Sequence, residues 1–347
     1  MRSRTKFLPL ILIIGWLATA VQAQESAKSR LVITGSSVGS PPQVELQAYG
    51  MDETGQPLDL STVGLTVTHG GTAVAPIEHH GTTSTGAFTV FLIDIPIGVS
   101  GQFDAIQEAI RAYAAPPNME EQVDAVAIYQ VGESAANQLL PPDRFYNSVR
   151  NLLAVPFIPS SGATALVDSA TGLLNQIDDL KPSPEMFASI VIITDGTDVV
   201  STRFQPEDLP ARAAELGVPI HTIWLNNENL SPAGKADGQT YLEEIAAESR
   251  GLNAQMADEA AVSAIWSRIA GFRQQARLVY IVEDLTGGAF PVTLGLVGEP
   301  EVTAETLLDV PGNLPSIVLN LPVASRLLTL PSVDEPVKLQ FSTTAHW

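Results

Sequence analysis

The sequence predicts an α/β fold: a doubly wound, mostly parallel sheet flanked by N-terminal and C-terminal β-rich regions. Two observations carry that prediction. Between residues 89 and 276, apolar strand-length runs alternate with amphipathic helical stretches, the pattern of a parallel sheet covered on both faces. On either side, short alternating runs are broken by Gly, Pro, Asp and Ser, which is strand and turn chemistry.

The chain begins with a basic head (Arg2, Arg4, Lys6), an apolar run over 7–20 and small residues up to Ala23, the layout of a secretory signal peptide cut after Ala23. An uncleaved N-terminal anchor is the other reading, although the run is short for a span of roughly 20 residues. Residues 24–86 form the expected small β-rich domain, with strands near 31–34, 44–48 and 63–68. Residues 87–276 form the α/β domain, with candidate strands at 89–94, 123–129, 189–195 and 220–225. Phe103, Ile106, Ile110 and Tyr113 fall on one helical face, as do Val262, Ile265, Trp266, Ile269 and Phe272. Residues 206–216 and 241–249 read as further helices, the first opening near a proline and the second stopped by Gly251. Residues 277–347 form the C-terminal β-rich region, with strands near 278–282, 292–297, 317–321 and 337–341. No stretch after the first is long and uncharged enough to cross a bilayer, so the mature chain is expected outside the cytoplasm without a membrane span.

At 347 residues the chain exceeds one average domain and can bury a large core. Its 38 Asp plus Glu against 18 Lys plus Arg argue against nucleic acid as a partner, because phosphates would be repelled. There is no cysteine, hence no disulfide framework, thiolate metal site or cysteine nucleophile.

Three separated stretches read as one site. The strands over 89–94 and 189–195 each end in an acid, Asp94 and Asp195, which places both carboxylates at one sheet edge, where ligand crevices form. Between them, Gly162-Ala163-Thr164 is a turn that opens a helix. With 124–129, Asp168, Asp198 and 218–224 in the same order, these landmarks resemble a von Willebrand factor type A (vWA) domain, and the flanking β regions resemble its secreted bacterial type. The resemblance implies a recognition domain with a metal-ion-dependent adhesion site. In that family an acid and two serines from the first loop, a threonine from the second and an acid from the third surround a divalent cation. Neutral hydroxyls leave a hard cation electron-poor enough to recruit a partner's carboxylate.

Carried over, Asp94, Thr164 and Asp195 match the family's acid, threonine and acid, whereas Pro96 and Gly98 stand where it has serines. The site is therefore expected to be degenerate and to bind Mg2+ or Ca2+ weakly if at all. Ser100, Ser160 or Ser161 would supply a replacement hydroxyl if a loop were remodelled around Pro96, which restrains its own torsion and that of Ile95. Calcium, tolerant of looser geometry, would use Asp94, Asp195 and Asp198 together. Without metal, Asp198 reads as a helix or loop cap, and Asp94 and Asp195 as loop hydrogen-bond acceptors.

An enzyme is not expected. The Gly-x-Ser-x-Gly pattern at 35–39 lacks the following helix of a nucleophile elbow, since Pro41 and Pro42 come next, and it reads as a turn between strands. His79 and His80 read as part of a loop, His221 as a core or strand-end residue, and no phosphate loop or dinucleotide fingerprint is present. Asn229-Leu230-Ser231 is a glycosylation sequon in an Asn-rich loop that a polar turn explains as well. The sequence thus points to a secreted or cell-surface, non-enzymatic recognition or adhesion protein that binds a protein or surface partner through the loop edge. The alternatives are a structural module of a cell-envelope assembly with a vestigial metal site, and a hydrolase.

Overall fold

The computed structural model describes residues 28–39, 41–159, 163–283 and 285–312. The expected signal segment 1–23 and the strand-like runs 317–321 and 337–341 lie outside them.

The chain first forms β1 (Arg30–Val38), β2 (Gln43–Met51), β3 (Pro57–Leu58), β4 (Leu65–His69), β5 (Thr72–Val74) and β6 (Ile77–Ser84). It then enters an α/β body: β7 (Ala87–Ile93), a 3-10 helix (Ile97–Gln102), α1 (Phe103–Tyr113), β8 (Ala125–Gln130), β9 (Asn137–Asp143) and α2 (Tyr146–Leu152). The body continues with α3 (Leu166–Leu180), β10 (Phe187–Thr194), α4 (Asp208–Leu216), β11 (Ile220–Trp224), α5 (Pro232–Glu248), β12 (Asn253–Gln255) and α6 (Glu259–Gly271). Three strands follow, β13 (Gln274–Ile281), β14 (Gly288–Leu296) and β15 (Glu299–Val310).

The fold class expected for the chain, a doubly wound, mostly parallel α/β sheet between two separate β regions, is corrected by the sheet topology. Among the described residues the molecule is β-rich, with three sheets. One has the order β1-β2-β13-β6 with β3 on β2, and a second the order β15-β14-β4-β5, both antiparallel throughout. The third, β12-β11-β10-β7-β8-β9, is mixed, because β9 runs antiparallel to β8. The β strands before and after the α/β body therefore interleave: β13 inserts between β2 and β6, and β14 between β15 and β4. Hydrophobic alternation reports which face of a strand is buried, not which strand lies beside it, so this pairing left no local trace.

Local differences have local causes. The β9 segment holds Pro141 and Pro142, which a strand tolerates at a sheet edge, where an amide need not donate. Residues 35–38, expected in a turn, belong to β1 beyond an irregularity between Ile33 and Gly35, and the turn follows at Gly39, whose N–H donates to Gln43 O at 3.1 Å. His79 and His80 lie in β6 rather than in a loop. Helix α5 starts nine residues before the expected 241, because Pro232 takes its first turn and Ser231 accepts from Gly234 N at 3.1 Å. Apolar periodicity is weak there, so cap chemistry sets the start.

The mixed sheet is buried on both faces. Phe91, Ile93, Val126, Ile128, Val191 and Ile193 pack under α1, α2 and α6, and Val90, Leu92, Ala127, Ile190 and Ile192 pack under α3, α4 and α5. Phe91, Tyr113 and Trp266 meet edge-to-face with centroids 5.2–5.7 Å apart. A separate core joins the two antiparallel sheets through Leu46, Leu278, Val292 and Leu294. At the junction, Tyr49 of β2 packs edge-on against Phe187 and Phe272, which stack at 4.1 Å. Asp124, fully buried, accepts from Ala87 N at 2.8 Å and pairs with Arg273 at 2.6 Å, tying the start of β7 to the exit from α6. Among the described residues no helix is long and apolar enough to cross a membrane.

Candidate functional site

The three predicted elements do converge. Strand β7 pairs in parallel with β10, and the ladder runs to Asp94 N, which donates to Ile193 O at 2.8 Å. Asp94 and Asp195 thus leave adjacent strands at the same edge, both with no exposed surface. The second loop arrives through Thr164, whose hydroxyl faces Asp94 Oδ2 at 3.5 Å, while the Thr194 hydroxyl donates to the same oxygen at 2.9 Å. Asp94 Oδ1 is buried and has no hydrogen-bond partner. Burial above all, and the neighbouring Asp195 charge, push the Asp94 carboxyl up to about 7, against the hydroxyl bonds that favour its ionised form.

Asp195 is fully engaged within the chain. Its Oδ1 accepts from Thr197 N at 2.9 Å and from the Thr197 hydroxyl at 2.7 Å. Its Oδ2 accepts from Asn227 Nδ2 at 2.6 Å. Gly196 sits at φ 82°, and a Cβ there would lie 2.4 Å from Gly238 O, so only glycine lets this loop press against α5.

The remaining predicted residues separate from this pair. Asp198 accepts from Leu166 N at 3.1 Å and from the Ser201 hydroxyl at 2.9 Å, so it caps α3. Ser100 is exposed within the 3-10 helix, not buried with the acids. Pro96 is extended and precedes that helix; its carbonyl accepts from Val99 N at 3.0 Å. Gly98 is packed against the fourth loop: a Cβ on it would lie 1.8 Å from Asn227 Oδ1. Ser160 and Ser161 lie outside the described residues.

An octahedral cation does not fit what is present. Neither Pro96 nor Gly98 carries an oxygen on its side chain, both Asp195 oxygens already hold donors, and the Asn227 amide fills the space beside Gly98. Among the described residues no group of three or more His, Asp or Glu side chains is placed to hold a metal ion.

Sequence reasoning missed three contributors. Thr194 is the last residue of β10, read only as strand. Asn227 lay in a loop noted only for its asparagines. Asp168, buried in the first turn of α3, accepts from the backbone N–H groups of Thr202, Arg203 and Phe204 at 3.0–3.1 Å and thereby fixes the loop after Asp198. Burial opposes ionisation of Asp168, but those amides together with Arg203 hold its carboxyl below the usual range. An acid in the first turn of an apolar helix was the available signal, read only as a landmark of the resemblance.

The loops around the acids expose apolar side chains. Ile97 is 63% exposed, Ile158 78% and Val199 67%, with Val200 beside it. They come from three loops at one edge: Ile97 follows β7, and Ile158 O accepts from Gln130 at the end of the adjacent β8. Val199 N donates to Thr164 O at 3.3 Å.

Solved structures similar to this chain include one from the mussel byssus. Proximal thread matrix protein 1 aligns with 15% identity and a TM-score of 0.42, over 59% of this chain and 51% of that one. The same mussel protein with a zinc-occupied MIDAS motif aligns at 14% identity and a TM-score of 0.41, over 58% and 49% of the two chains. The present chain thus spans about half the length of those proteins. No protein-family model matches the chain, and no curated protein matches it.

Proposed function

We propose that the protein is a non-enzymatic recognition protein, acting outside the cytoplasm, that binds a protein or surface partner through the loop edge of its mixed sheet. The observation that carries this reading is the set of exposed apolar side chains, Ile97, Ile158, Val199 and Val200, delivered by separate loops around a buried acidic centre. Exposed apolar clusters of this kind mark interaction surfaces, and strand C-terminal edges are where ligand crevices form. The vWA resemblance of Asp94, Thr164 and Asp195 supports the same edge as an analogy of fold. The basic and apolar segment over 1–23 supports export.

The non-enzymatic part is supported by the histidines in the described residues. His221 is buried, its Nδ1 accepts from Leu252 N at 3.0 Å, and burial, reinforced by the Arg268 charge, pushes it down to about 3. His69 pairs with Tyr280 at 3.1 Å, and His79 and His80 serve the β6 edge. In these contacts none faces a serine or threonine hydroxyl, and the Tyr280 hydroxyl beside His69 is buried with its titration pushed up by burial.

The test compares immobilised wild-type protein with an Ile97→Asp/Val199→Asp variant that keeps the wild-type circular dichroism. Extracellular or envelope proteins retained by wild type and lost by the variant support the reading. Identical retention by both places binding elsewhere and ends it.

A further inference from the structure

The fourth loop of the site, residues 226–229, is not described by the resemblance and is built into the edge with unusual thoroughness. Gln102 exchanges two hydrogen bonds with the backbone of Asn226, at 2.8 and 3.3 Å, and Lys235 donates to Asn226 Oδ1 at 2.7 Å. Glu228 N donates to Gly98 O at 3.2 Å, and Asn229 N donates to Asn227 Oδ1 at 2.9 Å. These bonds aim Asn227 inward, where it is buried, and its Nδ2 reaches Asp195 Oδ2 at 2.6 Å.

We infer that Asn227 is this chain's internal substitute for a divalent cation: its amide ties the third loop to the fourth, which Glu228 N in turn ties to Gly98 of the first, and the edge is held in one arrangement without metal. The chemistry is complementary. A cation at such a site gathers oxygens from several loops by charge, and an amide group gathers an acceptor through N–H and a donor through C=O. Asn227 uses both, Nδ2 on Asp195 and Oδ1 on the amide of Asn229. Gly98 is the matching half of the exchange. A serine there would place Cβ 1.8 Å from Asn227 Oδ1 and 2.6 Å from its Cγ, so the asparagine and the motif serine exclude each other sterically. The amide can stand where it does because residue 98 carries no side chain. The inference concerns how the edge is held and stands independently of whether it binds a partner.

Melting temperature is the readout. Wild type should melt at the same temperature, within about 1 °C, in millimolar Mg2+, in millimolar Ca2+ and in chelator, since an ion that does not bind the folded state cannot stabilise it. A rise with either ion that Asp195→Ala abolishes would overturn the inference. Asn227→Ala strands a buried carboxylate oxygen and should lower Tm by at least about 2 °C; an unchanged Tm would also overturn it. Because single variants can be lost to misfolding, the deciding measurement is a cycle. Gly98→Ser should depress Tm strongly alone and at least about twofold less in the Asn227→Ala background, where the two nearest clashing atoms are gone and only the flexible Asn229 Nδ2, 2.8 Å away, must shift. Additive losses would sink the proposed exchange.

Discussion

Asp94 concentrates the tension of the site in one carboxyl. It has no exposed surface, one oxygen shared by two threonine hydroxyls and the other without a partner. Its folded value near 7 against an ordinary 3.8 means that the folded protein holds this proton more tightly than the unfolded chain. The group's contribution is therefore fully present below about pH 4 and is lost as pH rises through about 7, an effect on the order of 4 kcal/mol at 1.36 kcal/mol per unit. Asp168, held low by backbone amides, contributes in the opposite sense, so the diagnostic quantity is a difference. Asp94→Asn should be more stable than wild type at pH 8 and lose that advantage toward pH 4.5, as measured by urea midpoints. A constant offset between the two proteins at both pH values would contradict this. Much at this scale was legible: Asp94, Thr164 and Asp195 could be brought together from strand ends and one turn. Asn227 could not, because nothing in Asn226-Asn227-Glu228-Asn229 states which of three asparagines points inward; Gln102, far off in sequence, and Lys235, in the first turn of α5, decide it.

Among the elements, α6 has the clearest energetic role. Asp258 caps it by accepting from Ala261 N at 3.0 Å, and Val262, Ile265, Trp266 and Ile269 form its buried face. Trp266 meets both Phe91 of β7 and Tyr113 of α1, so it braces the strand that carries Asp94. Trp266→Ala should cost about 3–5 kcal/mol, read from chemical denaturation, since the rigid surroundings cannot close over so large a loss. A cost below about 1 kcal/mol would mean that this aromatic cluster is not the brace described. Helices of this kind, with an apolar stripe at helical spacing, were readable from sequence. Elements defined by position in the sheet were not: β9 is an edge strand interrupted by two prolines and β12 an edge strand of three residues, neither with a periodic signature, whereas β15 does alternate, with Val302, Ala304, Leu308 and Val310 inward, and was passed over among its acids and threonines.

On the scale of the whole molecule, the two antiparallel sheets require both ends of the described chain. Removing β13 would take from β6 its one strand partner among the described residues and expose one side of β2, and removing β14 would cut β4 from β15. Non-local pairing of this kind makes the strands before and after the α/β body one cooperative unit. A chain ending at residue 272 should therefore fail to give a protease-resistant fragment over 28–84, whereas the full chain should protect that region until its main transition. Recovery of a stable 28–84 fragment from the shortened chain would refute it. The same topology governs how the molecule answers to force. The α/β body is entered after Ser84 and left before Gln274, which are paired residues of β6 and β13, so its two attachment points sit side by side. Tension applied between residues 28 and 312 runs through the antiparallel sheets, where Ser29 donates to Glu299 and β1 lies along β15. The loop edge with Asp94 and Asn227 lies in the stretch of chain bridged by the Ser84–Gln274 pair, so covalent tension reaches it only once that pair parts, while Arg30 and Arg250 tie the pulled end to the flank of the body.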